Sequence, residues 1–273
     1  MTTTRNDTVH DELRQNLIKL RLRAMADALD AALEQAQLTQ SGYTAFLDGL
    51  VRTELMVQAS AAIDRRVKGS RFPETLTFDA FDWNFQPGLN VPLVKDLMGL
   101  GFIRQGRPVL LLGRPGTGKT HISVALGHLA CRAGFRVAFF TASDLLQRLY
   151  ADLVDATVDK TIAGLARHDL LIIDDIRAVA PARPEYATLL YDLIVARVGK
   201  ATIVSTNLSI DEWGAVLGNR KLIASLADRL MQRAHVINIK RGRSYRTQGP
   251  EAPPESELPT GLATQEPETQ TGL

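Results

Sequence analysis

The residues Gly113-Arg114-Pro115-Gly116-Thr117-Gly118-Lys119-Thr120 fit the spacing G-x-x-x-x-G-K-[ST], which is built to hold phosphate. Glycines let consecutive backbone N–H groups turn inward around α- and β-phosphates, and a helix that follows adds its positive N-terminal end. Lys119 then reaches the β- and γ-phosphates, and the Thr120 hydroxyl coordinates Mg²⁺. A second chemical group closes the apolar run Leu170-Leu171-Ile172-Ile173 with the acids Asp174 and Asp175. Downstream, Asn207 ends another apolar run, Ala201 to Thr206.

A lysine, a metal, a carboxylate and a polar sensor are the parts phosphoryl transfer uses, since that chemistry rests on positioning and charge neutralisation. Asp174 is placed to hold Mg²⁺ directly or through water, and Asp175 to orient or deprotonate the attacking water. Neighbouring residues on a strand point to opposite faces, so the two acids take different roles. Asn207 puts its amide against the same water or the γ-phosphate. One more cation is needed. Arg229, in the helical run Ala224 to Leu230, supplies it either to a neighbouring subunit's nucleotide or, on the plainer alternative, to a surface acid on its own helix.

These residues need a scaffold that gathers strand ends. Val109 to Leu112 reads as a buried strand, and after it Ile122, Ala125, Leu126 and Leu129 recur at helical spacing. Strand-like and helical segments then alternate: Arg136 to Thr141, a helix through Leu145, Leu146 and Leu149, Thr157 to Ala166, and Leu170 to Asp175. A loop with Pro181 and Pro184, a helix from Glu185 to Val198, Ala201 to Thr206, two further helices and the strand His235 to Ile239 complete the series. Alternation of this kind predicts an α/β fold with a parallel sheet covered on both faces. Ligands of such sheets gather at the carboxyl ends of the strands, which sets Gly113, Asp174, Asp175 and Asn207 along one edge.

Upstream, Val9 to Gln37 carries Leu13, Leu17, Leu20, Ala24, Ala28 and Ala31 at three- and four-residue intervals and predicts one long helix. Thr39 to Gly42 breaks the pattern, and Tyr43 to Lys68 resumes it as a second helix that ends at Gly69. Arg65-Arg66-Val67-Lys68-Gly69-Ser70-Arg71 is basic, and serves either the helix C-terminal dipole or DNA phosphates. Phe72, Phe78, Phe81, Trp83 and Phe85 crowd a turn-rich stretch, either as a connector stapled to the main domain or as the lining of an adenine pocket.

At 273 residues with 45% apolar content the chain can bury a full core. No run reaches membrane-spanning length, and Met1 to Asp7 lacks a secretory apolar segment, so the expectation is a cytoplasmic protein with no membrane partner. The single Cys131 reads as a small core residue. Formal net charge is +2, yet it is polarised: Asn219 to Arg246 carry eight Lys or Arg against Asp228, whereas residues from Thr247 on carry five Glu and no basic residue. The basic stretch suits a polyanion, and the Pro- and Glu-rich tail predicts disorder.

As a set, these motifs resemble the AAA+ ATPases of the initiator and helicase-loader group, and most closely the IstB-like transposition helper proteins of bacterial insertion sequences. The resemblance is carried by Gly113 to Thr120 followed by His121, Thr141-Ala142-Ser143-Asp144-Leu145, Leu170 to Asp175 and Ser205-Thr206-Asn207-Leu208 with Glu212-Trp213-Gly214. Asp228-Arg229-Leu230, His235 to Ile239 with Ser244-Tyr245-Arg246, and Phe72-Pro73, Phe81-Asp82 and Phe85-Gln86-Pro87 also match. It implies a P-loop AAA+ three-layer fold with a five-stranded parallel sheet, preceded by a small N-terminal helical module and followed by no clear C-terminal lid. The implied organisation is a DNA- and partner-binding module over 1–70, an aromatic linker and leading helix over 71–107, an ATPase domain over 108–246 and a disordered acidic tail over 247–273.

It also implies residue roles. Gly113 to His121 form the ATP-binding stretch with Lys119 and Thr120 as Walker A residues, Asp174 and Asp175 are Walker B, Asn207 is the first sensor, and Arg229 is a finger acting in trans. ATP and Mg²⁺ are the implied ligands, with ATP hydrolysis the reaction. The implied partners are double-stranded DNA, a cognate transposase and further copies of the chain. Two departures stand out. Many relatives have Asp-Glu where this chain has Asp174-Asp175, and too little chain follows Ile239 for a lid, which leaves Arg246 a weak second sensor. Rival readings are a replicative helicase loader, a small-molecule kinase and a nucleotide-gated scaffold that does not turn ATP over.

Overall fold

The computed structural model describes residues 2–177, 183–239 and 242–248, so Pro181 and the tail from residue 249 lie outside the described residues. The chain divides into two compact units, one up to Arg65 and one from Arg66 onward.

In the first unit the expected single helix is two. α1 (Thr2–Lys19) and α2 (Arg23–Thr39) meet at a turn where Arg21 takes a left-handed φ of +65° and the Leu22 N–H bonds back to Leu17 O at 2.9 Å. Apolar periodicity passes through this turn unbroken, which is why spacing alone does not reveal it. α3 (Tyr43–Ser70) follows the polar turn, with Gln40 in the left-handed region as the cap of α2. Leu17, Met25, Ala26, Leu29 and Leu50 bury the small core, and the buried Glu54 accepts the Met25 N–H at 3.0 Å.

The second unit is a three-layer α/β domain. β1 (Val109–Gly113), β2 (Val137–Thr141), β3 (Leu170–Ile176), β4 (Ala201–Thr206) and β5 (His235–Ile239) form one parallel sheet in the order β2-β3-β4-β1-β5. Side chains alternate between its faces. Val109, Leu111, Leu170, Ile172, Ala201 and Ile203 pack beneath α4 (Val91–Met98), α5 (Gly101–Arg104) and α6 (Lys119–Arg132). Leu110, Leu171, Ile173 and Val204 pack against α7 (Ala142–Val154), α8 (Val158–Ala166), α9 (Glu185–Ala196), α10 (Ile210–Leu217) and α11 (Arg220–Met231). Among the described residues only the short α12 (Tyr245–Gln248) follows β5.

The aromatic stretch is a buried connector. Phe78 and Phe81 belong to the core beneath α6, and Trp83 stacks on Phe78 with ring centroids 5.6 Å apart. Cys131 is fully buried, its sulfur 3.2 Å from the Ser70 hydroxyl, and burial pushes its thiol pKa up. Far from the strand ends that matter here, the buried Arg197 donates to Leu165 O at 2.7 Å and His168 O at 3.1 Å, and desolvation pushes its pKa down to about 10.

Candidate functional site

β1 ends at Gly113, and the chain wraps through Gly116 at φ +77° and Gly118 at φ +89° into α6. Both angles favour glycine, because a Cβ clashes with its own backbone there. At Gly116 a second constraint applies: a Cβ would stand 2.3 Å from Ser244 Oγ. Lys119 is 8% exposed, and its Nζ donates to Gly113 O and Arg114 O, each at 2.8 Å. Thr117 Oγ1 also donates to Arg114 O, at 2.9 Å. The ammonium is thus folded over the loop's own carbonyls at the N-terminus of α6, where first-turn N–H groups attract anions.

At the end of β3 the acids meet this loop. Thr120 Oγ1 donates to Asp174 Oδ2 at 2.8 Å, and Asp174 is 5% exposed. Its other oxygen, Oδ1, accepts from Ser205 Oγ, which in turn accepts the Asp175 N–H at 2.9 Å. The ladder between β3 and β4 is irregular here. Ile173 pairs with Val204 and Ile176 with Thr206, so β3 carries one extra residue, and Asp175 sits at φ +59°. A bulge of this kind re-aims side chains, and simple alternation no longer describes how the two acids point. Asp175 Oδ2 lies 2.9 Å from Arg177 Nε.

Asn207 is exposed just beyond β4, in the turn fixed by the fully buried Thr206. Thr206 Oγ1 donates to Ile176 O at 2.7 Å and accepts from Leu208 N at 3.0 Å and from Trp213 Nε1 at 3.3 Å. A capping box between Ser209 and Glu212 then starts α10, and bonds from the Ser209 hydroxyl and N–H hold the Glu212 carboxyl below its ordinary range. Arg229 lies exposed on α11 with its guanidinium 5.5 Å above the Tyr191 ring, and among the described residues no ion pair with a carboxylate is seen.

The His121 ring turns toward the linker: its Nε2 is 2.7 Å from Thr77 O and its edge meets Phe81 at 5.1 Å. Phe81 also borders Gly118, where a Cβ would lie 3.2 Å from the ring. On the loop's other side, Gln86 reaches the segment after β5. Its Oε1 accepts the Arg243 N–H at 2.9 Å and its Nε2 donates to Arg243 O. Tyr245 N–H donates to Gly116 O at 2.9 Å, and Phe85 meets the Tyr245 ring edge-on at 4.9 Å. The aromatic linker and the last described segment therefore clasp the phosphate loop between them.

Lys119, Thr120, Asp174 and Asp175 come together, and Asn207 stands at the neighbouring strand end, whereas Arg229 lies over the Tyr191 ring. Three participants were not singled out for a role by spacing: Ser205, Thr206 and Gln86. For the first two a signal exists, since they are the only hydroxyl-bearing pair closing the apolar strand whose far end carries Asn207. Gln86 lies in the matched segment Phe85-Gln86-Pro87, yet spacing gives it no role, as its partner lies 157 residues away.

A phosphate loop after β1, acids at the end of β3 and this strand order define a P-loop α/β protein of the AAA+ type. The chain belongs to the IstB-like ATP binding protein family, whose model matches residues 15–252. It is 34% identical over 236 residues to a protein of insertion sequence IS21 from Pseudomonas aeruginosa named for ATP binding, covering 86% of this chain and 88% of that one. A counterpart from insertion sequence IS5376 of Geobacillus stearothermophilus is 32% identical over 229 residues, covering 84% and 90%. Among solved structures, AMPPCP-bound DnaA from Aquifex aeolicus aligns with a TM-score of 0.52 at 20% identity, over 64% of this chain and 53% of that chain. This chain thus spans about half the length of that initiator, and the likeness is one of fold.

Proposed function

We propose that the protein is an ATPase that assembles on duplex DNA and serves a transposase as its helper. The observation that carries the reading is the bond between Thr120 and Asp174, which joins the phosphate loop to the acid end of β3. A hydroxyl and a carboxylate oxygen are the hard donors Mg²⁺ takes, and the rest of its shell comes from water and substrate phosphates. Thr120 and Asp174 would hold that ion, which when bound neutralises charge developing on the transferred phosphoryl group.

The chain's own groups take the remaining tasks. Gly113 to Gly118 turn their N–H groups to the phosphates, and Lys119 exchanges its two loop carbonyls for β- and γ-oxygens. Asp175, at the bulge, orients or deprotonates the attacking water, and Asn207 aligns the same water or the γ-phosphate. Arg229, exposed on α11, is offered to the nucleotide of a neighbouring copy. The products are ADP and phosphate.

The relatives named for insertion sequences support the transposase partner, and the basic stretch from Arg220 supports backbone contact with DNA rather than base reading. DNA and partner contacts are assigned to the helical module over 1–70, the linker to 71–107 and ATPase chemistry to 108–246. Among the described residues no helix is long and apolar enough to cross a membrane, and the working compartment proposed is the cytoplasm. ATP hydrolysis measured with and without duplex DNA tests the reading. Stimulation by DNA supports it, a DNA-insensitive rate contradicts the helper role, and failure to bind ATP contradicts the whole.

A further inference from the structure

We infer that Ser205 is a positioning residue for ATP hydrolysis: through one hydroxyl it fixes both acids at the end of β3, Asp174 by its side chain and Asp175 by its backbone. The inference rests on the ATPase reading above and deepens it.

β4 lies between the strand that leads into the phosphate loop and the strand that carries the acids. Ser205 is level with Leu111 of β1 on one side and faces the bulge of β3 on the other. A hydroxyl has one hydrogen to give and lone pairs to receive. Here the hydrogen goes to Asp174 Oδ1 and a lone pair takes the Asp175 N–H at 2.9 Å. The extra residue in β3 interrupts the backbone ladder at this level, and Ser205 Oγ supplies the acceptor that the Asp175 N–H finds instead. Ser205 is only 1% exposed, so its hydroxyl is shielded from bulk water.

The consequence is directional. Asp174 has Oδ2 on Thr120 and Oδ1 on Ser205, so its carboxylate plane is fixed from both ends. Asp175 is held at φ +59°, a conformation non-glycine residues keep only when their surroundings enforce it. Without the hydroxyl, both acids lose their aim while Lys119 and the loop N–H groups are untouched. Turnover should therefore suffer far more than nucleotide binding, which keeps Lys119, the loop N–H groups and the Thr120 bond to Asp174.

Three substitutions separate positioning from mere packing. Ser205→Cys keeps the size of the side chain but replaces a strong donor and acceptor by weak ones, Ser205→Ala removes both, and Ser205→Thr keeps Oγ at the cost of an added methyl. Positioning predicts kcat lowered roughly tenfold to a hundredfold in the cysteine and alanine forms, as expected for misaimed catalytic groups. KM for MgATP and affinity for a fluorescent ATP analogue should stay within about threefold, the pattern of a lost transition-state interaction. The threonine form should retain the larger part of wild-type kcat. A packing role predicts the opposite order, with cysteine mildest and threonine worst. That order, or a cysteine or alanine form hydrolysing ATP as fast as the wild type, overturns the inference while leaving the ATPase reading in place. A wild-type protein that binds no ATP overturns both.

Discussion

Thr120 and Asp174, 54 residues apart in the chain, meet through a 2.8 Å hydrogen bond at the carboxyl ends of β1 and β3. One residue opens α6 and the other closes an apolar strand, and the sheet order sets β4 between their strands. The bond is therefore made by fold rather than by neighbourhood, and it brings a hydroxyl and a carboxylate oxygen together at the phosphate loop.

Removing either side of that pairing should weaken magnesium-dependent ATP binding. Lys119→Ala should cost more, since a buried ammonium that contacts phosphate oxygens contributes charge-assisted bonds of about 1.5–3 kcal/mol each. Titration with a fluorescent ATP analogue should show affinity down roughly tenfold or more for Lys119→Ala, consistent with that range. For Thr120→Ala, the loss should shrink when Mg²⁺ is omitted for both proteins. Equal loss with and without the metal would contradict the role given to Thr120.

The clasp made by Gln86 is a second target. Its side-chain amide pairs with both backbone groups of Arg243, and the segment it holds meets Gly116 through the Tyr245 N–H. Gln86→Ala leaves two backbone groups to find water, at about 1–3 kcal/mol. We expect a lower melting temperature and a few-fold weaker hold on ATP, because the phosphate loop loses its outer support. Unchanged affinity would mean that the clasp serves stability alone.

Arg229 stands exposed over the Tyr191 ring, which suits a cation used by another copy. Arg229→Ala should keep ATP binding and lose hydrolysis. Mixing it with Asp175→Asn should restore part of the rate, since some interfaces then combine an intact arginine with an intact acid. A mixture no faster than its two components assigns the arginine to its own subunit or to no catalytic role.

Acid should destabilise the fold through its histidines. Burial pushes the pKa of His128, His168 and His235 below the ordinary 6.5, and nearby arginines add to the effect. A histidine with a lowered folded pKa takes up protons more readily when unfolded, so stability rises with pH through that window. Melting temperature should hold steady above pH 7 and fall as pH drops below 6.5 toward the folded values. His128→Phe, which keeps a ring against Phe72, should flatten part of the slope. A slope unchanged in that variant would assign the acid sensitivity elsewhere.

Much of this site is written in local pattern. The glycine spacing before Lys119, the apolar run before Asp174 and the polar end of β4 are short-range signals, because each reports a strand running into a turn. What spacing does not carry is contact between distant segments. The bulge that turns Asp175, the hydroxyl of Ser205 that supports it and the grip of Gln86 on Arg243 depend on which strands lie side by side. The turn at Arg21 was hidden for another reason: leucines on both sides continue the helical rhythm across it.

The most direct test of the central claim is sedimentation of the protein on duplex DNA with MgATP, with MgADP and without nucleotide, for the wild type and Lys119→Ala. The account predicts large DNA-bound assemblies for the wild type with MgATP alone and none for the variant. Assemblies that form equally in every condition, or that survive in Lys119→Ala, would contradict it.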